Sequence, residues 1–234
     1  MASFVRIFFD PAAVFAKVRE RGSWAAPLIA LALITMIFSM YVTHTIGMEN
    51  VTRRFFDEHP SIANQMPPDK KEQAIQQSGS PARLAIGAVT GGLMVALVTL
   101  IVAAILMVML SIMDCRPRFS QMLGTVAWAS FPITVIACVM GVLILFFSSD
   151  PSELDPQTLL ATNVAAFLDK SSTGSFVFSL ARSCDLLAIG QVCLLSFGIS
   201  KVVGLALGRS LALVIGLWLV WVLLRGGFAA ATGF

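Results

Sequence analysis

The sequence predicts an all-α polytopic membrane protein, a bundle of five transmembrane helices with short amphipathic helices at the membrane surface. Five long apolar stretches carry this prediction, because a helix needs about 20 apolar residues to cross a bilayer. Hydrophobic residues make up 57% of the chain and charged residues 12%, whereas a soluble domain carries about 25% charged residues. Apolar runs in lipid must be helices, since each backbone polar group has to be paired within its own segment.

The five predicted spans lie at about residues 24–46, 84–113, 128–147, 186–207 and 211–228. The first four contain no charged residue except Lys201. Residues 24–234 are therefore expected to form one transmembrane domain, with long polar connections at residues 48–83 and 148–183.

Residues 1–23 predict an amphipathic arm on the cytoplasmic side. Asp10 and Pro11 form a helix-start signal, since an acceptor at the N-cap and a proline at the first position both favour helix initiation. The first apolar run lacks a small-residue cleavage pattern, so we interpret it as a retained span and not a signal peptide. Four aromatic rings of the arm are expected to contact lipid headgroups, a partner or the protein's own helix ends, and these alternatives stay open: Phe4, Phe8, Phe9 and Phe15.

Both polar connections carry helix signals. The first connection predicts two short helices, one ending near Pro60 and one closing at Gly79, which form either a solvated hairpin or a docking surface. In the second connection, Asp150 opens a capping-box pattern. Asp155 with Pro156 predicts a further helix, with an apolar stripe from Leu159 to Leu168.

Small residues one turn apart predict close helix packing in lipid. Gly87 and Gly91 have this spacing in the second span, and Gly204 and Gly208 have it at the end of the fourth. Packing within the chain is the main interpretation and homodimerisation is the alternative. Pro132 should kink the third span or mark its start.

Two charges at the ends of the fourth span are possible functional groups, because an ionisable residue in a span suggests function. Asp185 and Lys201 are separated by about 24 Å of helix rise, so they cannot pair with each other. The structural alternatives are that Asp185 caps its helix or pairs with Arg182, and that Lys201 reaches the inner headgroups near Arg209.

No pattern in the sequence indicates catalysis. The four cysteines and two histidines have no metal, haem or iron–sulfur spacing. We therefore expect no catalytic residue, no cofactor, no metal site and no enzymatic activity. The net charge of +3 is spread along the chain and gives no reason to expect nucleic-acid binding.

Compact basic connections set the orientation of a membrane protein. The arm, the turn at residues 114–118 and the turn at Arg209 fall on one side of a five-span chain. We predict a multi-pass protein of the cell membrane, the inner membrane in a bacterium, with a cytoplasmic N-terminus and an outside C-terminus.

Three segments carry a resemblance that covers almost the whole chain. They are FFDPAAVFAKV with GSWAAP, then CRPRFSQMLGTVAWASFP, then RSCDLLAIGQVCLLSFGISKVVGLALGRS, which continues to the tryptophans at 218 and 221. In these segments the chain resembles the Yip family, the Ypt/Rab-interacting membrane proteins, in its prokaryotic form. The resemblance implies a five-helix domain with the N-terminus inside, and it implies fold-marking roles for Pro11, Phe15, Pro27, Phe119, Pro132, Asp185 and Gly198.

Eukaryotic relatives are associated with vesicle traffic and Rab-type GTPases through a cytosolic N-terminal region. The arm here is about 20 residues, which makes GTPase binding doubtful. The sequence favours a scaffold or accessory subunit of a membrane assembly, with the lipid bilayer and other membrane protein subunits as partners. The alternative is a transporter or channel component.

Overall fold

A computed structural model describes residues 2–58, 60–154, 159–160, 162–168 and 173–232. These residues form helices, and their only β pairing is an isolated bridge between Asn163 and Asp185. The all-α prediction is therefore confirmed. In chain order the elements are α1 (Ala2–Phe9), α2 (Pro11–Arg21), α3 (Ala25–Ile46), α4 (Met48–Glu58), α5 (Pro60–Ala63), α6 (Pro68–Ser78), α7 (Pro81–Ile112), α8 (Phe119–Phe147), two 3-10 turns (Pro151–Glu153 and Val164–Phe167), α9 (Ser175–Ser183), α10 (Leu186–Val203) and α11 (Leu207–Thr232).

Five of these helices, α3, α7, α8, α10 and α11, are long and apolar enough to cross a membrane. The five-span prediction is confirmed, but the start of the third span is wrong. The helix α8 begins at Phe119, not near residue 128, and Pro132 lies inside it. Its first turns are held by packing, because Met122 and Thr125 are fully buried.

The fourth span is shorter than predicted. It ends at Val203, because Gly204 adopts a left-handed conformation with φ +82° and donates its N–H to the Ser200 carbonyl. This geometry is a common helix C-cap, and glycine adopts it without a steric penalty. The predicted pair of Gly204 and Gly208 is therefore wrong as a helix-packing motif, since Gly204 ends α10 and Gly208 belongs to α11.

The chain divides into two compact units. The first contains Met1–Leu31, Ala96–Ala137 and Ala161–Phe234. In this unit α2 packs on α10, α10 packs on α11, and α11 packs on α9. The apolar residues at its centre are buried: Phe15, Val18, Leu106, Met122 and Ile199.

The second unit contains Ala32–Val95 and Cys138–Leu160. One core cluster joins the end of α3 to the end of α8 and consists of Val42, Ile46, Leu145 and Leu159.

The first polar connection contains two helices that pack on each other, α4 and α6. Phe56 and Ile75 are buried. Two ion pairs join the helices, between Arg53 and Glu72 at 3.7 Å and between Lys71 and Asp57 at 3.8 Å. The first polar connection therefore contains a packed helical hairpin.

The second polar connection differs from its prediction. Asp150 caps only a 3-10 turn, and the predicted helix start at Asp155 and Pro156 lies outside the described residues. The stripe from Leu159 to Leu168 is not a continuous helix, because the backbone at residues 162–164 pairs with residues 184–186 instead. The helix α9 was not predicted from the sequence.

Candidate functional site

Phe15 is one of the residues that hold the arm on the protein. This side chain is fully buried, and its ring meets the Phe197 ring edge-on with 6.2 Å between centroids. It also lies against Gly198 of α10, where an added Cβ would stand 2.7 Å from Phe15 Cε1. The arm therefore packs on the end of α10, one of the contacts considered for its rings.

Phe4 provides a second attachment. Its ring lies 5.0 Å from both the Trp128 and the Phe131 rings, measured between centroids. The indole Nε1 of Trp128 also donates to the Ser23 carbonyl at 3.1 Å. The helix α8 thus binds the arm near both of its ends.

The two other rings of the arm differ in how far they are exposed. Phe9 is 85% exposed, and Val5 beside it is 64% exposed. Phe8 is 40% exposed, and its ring meets the Phe131 ring edge-on with 6.3 Å between centroids. These three residues form the outer stripe of α1. Of the four predicted aromatic residues, Phe9 is therefore the most available and Phe8 is partly available, while the other two pack against the protein.

An N-cap hydrogen bond and an ion pair, both made by Asp10, connect the two helices of the arm. Asp10 accepts a hydrogen bond from the Ala13 N–H at 3.2 Å, which confirms the predicted helix start. Arg6 pairs with the same carboxylate at 2.8 Å. The guanidinium of Arg6 and, secondarily, the N–H of Ala13 hold the pKa of the Asp10 carboxyl below its ordinary value of 3.8.

Lys201 lies close to the arm. Its Nζ stands 5.4 Å from the centre of the Phe197 ring, in a cation–π contact. The same ammonium group borders an open groove between α2 and α10 whose other lining residues belong to the arm: Ala12, Ala16, Arg19 and Glu20.

Asp185 is the N-cap of α10. Its carboxylate accepts from the Leu187 N–H at 2.7 Å and from the Thr162 hydroxyl at 3.0 Å. A negative group at this position complements the positive end of the helix dipole. The cap also fixes the preceding loop, because Thr162 accepts from the Leu186 N–H at 3.2 Å.

The glycines of α7 have unequal surroundings. A Cβ on Gly87 would meet nothing within 4 Å, and one on Gly91 would make ordinary contact with Ser39 at 3.8 Å. The close approach occurs at Gly92, where an added Cβ would stand 2.9 Å from the Ala32 carbonyl oxygen. Within α7, the position that most strictly requires glycine is thus Gly92, one residue beyond the predicted pair.

One polar contact between spans was not predicted from the sequence. The Gln191 side chain in α10 donates to the Ser130 hydroxyl in α8 at 2.9 Å. A glutamine within an apolar run was the available signal, since such a side chain usually finds a partner on another helix.

No metal centre is visible in the described part of the chain, where no three His, Cys, Asp or Glu side chains could share an ion. Two of the cysteines are exposed and two are half-buried.

Five apolar helices preceded by an amphipathic arm define a multi-pass helical membrane protein. The model of one family, described as the Yip1 domain, matches residues 5–227, and the chain belongs to this family. The resemblance seen in the sequence is thereby confirmed. None of the curated proteins matches the chain, and no solved structure does.

Proposed function

We propose that this integral membrane protein is a non-enzymatic scaffold or accessory subunit of a larger membrane assembly. The outer stripe of α1 is the observation that carries the proposal. Val5, Phe8 and Phe9 are exposed, while Phe4 on the same helix packs against α8. A preformed apolar surface loses little conformational freedom when a partner covers it, so more of its burial energy contributes to binding.

The free energy gained by burying the outer stripe is large enough for a specific contact. Burying one phenylalanine contributes about 1.5–3 kcal/mol, and an aromatic side chain covers about 150–250 Å². Two rings and a valine on one short helix therefore suit a membrane protein subunit that approaches at the edge of the bilayer.

The proposed orientation places the arm in the cytoplasm. Basic residues of three separate segments support it, because these segments meet around the arm. The Gln121 side chain donates to the Arg19 carbonyl at 2.7 Å, which joins the start of α8 to α2, and α2 packs on α10 just before the turn to Arg209. Such clusters of arginine and lysine favour the cytoplasmic side.

Copurification of the full-length chain from native membranes in mild detergent, followed by mass spectrometry, tests the proposal. The double variant Phe8→Ser and Phe9→Ser should lose a stably co-eluting subunit. The matched control is Phe146→Ser with Phe147→Ser, another adjacent pair, whose rings are 73% and 77% exposed. This control should retain the subunit.

Two results contradict the scaffold role. One is a parent protein that elutes alone and carries out substrate-dependent flux in liposomes, which is the behaviour of a transporter. The other is equal loss of the subunit in both double variants, which would mean that the outer stripe has no special part in assembly.

A further inference from the structure

The groove between α2 and α10 has a volume of about 520 Å³. Two small residues one turn apart, Ala12 and Ala16, leave it open along α2. Its polar lining consists of two cations and one carboxylate: Arg19, Lys201 and Glu20. The groove therefore combines an apolar wall with a net positive charge.

Both cations are exposed. Among the residues that the structure describes, neither Arg19 nor Lys201 has a carboxylate within ion-pair distance. The ammonium group of Lys201 is nevertheless held in one place, because it lies over the Phe197 ring and that ring packs on the buried Phe15. A positioned cation loses less side-chain entropy when an anion binds.

The groove lies where the spans begin and end. Lys201 is in the last turn of α10, which ends at Val203. Arg19 is in the last turn of α2, which ends at Arg21, and the first span begins at Ala25. The two cations therefore lie at one end of two apolar helices, where the headgroups of a bilayer spanned by these helices are expected.

We propose that this groove binds the headgroup of an anionic phospholipid, with the phosphate between Arg19 and Lys201. Two positive groups and one negative group leave one net charge, which complements a phospholipid carrying one negative charge. Glu20 limits the groove to such a ligand, because a more highly charged headgroup would face its carboxylate. The binding does not depend on any partner assembly.

The test uses the full-length protein in a zwitterionic detergent and titrates it with short-chain phosphatidylglycerol, reading lipid binding by native mass spectrometry. Each cation near a membrane surface contributes about 1 kcal/mol, or about fivefold in affinity. Arg19→Gln and Lys201→Gln should each weaken binding about fivefold, and together about 30-fold. Glu20→Gln should tighten it.

Two further variants separate a site from diffuse attraction. Lys17→Gln removes an exposed cation of α2 that does not line the groove, and it should leave binding unchanged. Ala16→Leu fills the groove while keeping every charge, and it should weaken binding about as much as the double variant. It also keeps the proposal testable if the double variant fails to fold.

Three results would overturn the proposal. Phosphatidylcholine could bind as tightly as phosphatidylglycerol, which removes the role of net charge. Inorganic phosphate could displace the lipid at equal concentration, which makes the ligand a free anion. Lys17→Gln could weaken binding as much as Arg19→Gln, which replaces the groove by general surface charge.

Discussion

Phe15 of the arm and Gly198 of α10 lie so close that a single added carbon would collide. A Cβ on Gly198 would stand 2.7 Å from Phe15 Cε1 and 2.9 Å from Thr125 Cγ2. Both neighbours are fully buried. The absence of a side chain at residue 198 therefore allows α2 to approach α10.

Gly198→Ala should destabilise the protein by about 1–3 kcal/mol, because neither buried neighbour can move without disturbing the core. Thermal unfolding in detergent measures the effect. Gly216→Ala is the matched control, since an added Cβ there meets nothing within 4 Å and alanine favours a helix by up to about 1 kcal/mol. Equal stability of the two variants would show that the arm is not held at this contact.

Asp185→Asn should cost less stability than Asp185→Ala. Asparagine keeps an oxygen that can accept from the Leu187 N–H and the Thr162 hydroxyl, whereas alanine loses both contacts and about 0.5–2 kcal/mol. Chemical unfolding of both variants in detergent distinguishes them. If asparagine is as costly as alanine, the charge and not the hydrogen bonding maintains the cap.

Low pH should weaken the attachment of the arm, because the Asp10 carboxylate becomes protonated. Its pKa is lowered in the folded state, so its contribution is complete above the unfolded value of 3.8 and is lost as the pH falls through the lower folded pKa. Hydrogen exchange of residues 2–21 should accelerate below pH 3.8, more in the parent than in Asp10→Asn at the same pH.

The asparagine variant is the control for this pH effect, because it retains a capping oxygen and cannot titrate. High salt should reduce the difference between the two proteins, since the pair of Arg6 and Asp10 is exposed and therefore screened. A parent and variant with the same acid response would mean that another group controls the arm.

Reporter fusions test the topology. A reporter after Phe234 and one within residues 48–83 should both be active only outside the cytoplasm, because five spans place these points on the side opposite the arm. A fusion at the turn of residues 114–118 should be active only inside. Cytoplasmic activity from either of the first two positions would contradict the proposed orientation.

The composition and the lengths of the apolar stretches were sufficient to predict a membrane protein and the number of its spans. A helix must be apolar over about 20 residues to cross lipid, and this requirement is local and can be read along the chain. Helix starts that depend on neighbouring residues were also predictable, as at Asp10 and Asp185. The capping atoms in both cases lie within three residues of the helix start.

The ends of spans were less predictable, because apolar composition continues through a turn that only the backbone reveals. Gly204 lies in an apolar stretch and yet ends α10 in a left-handed conformation. The helix α8 starts earlier than its apolar run because packing stabilises Met122 and Thr125. A local backbone conformation therefore decides the first boundary, and contact with distant segments decides the second.

The sequence by itself determined that the chain is a five-span helical membrane protein with an amphipathic arm. Only the tertiary structure decided which rings of the arm are buried, where the close glycine contacts lie, and that Arg19 and Lys201 border one groove. Hydrophobicity is a property of each residue and its near neighbours. The burial of Phe15 depends instead on α10, about 180 residues away in the chain, because packing at this density depends on the shape of the facing helix.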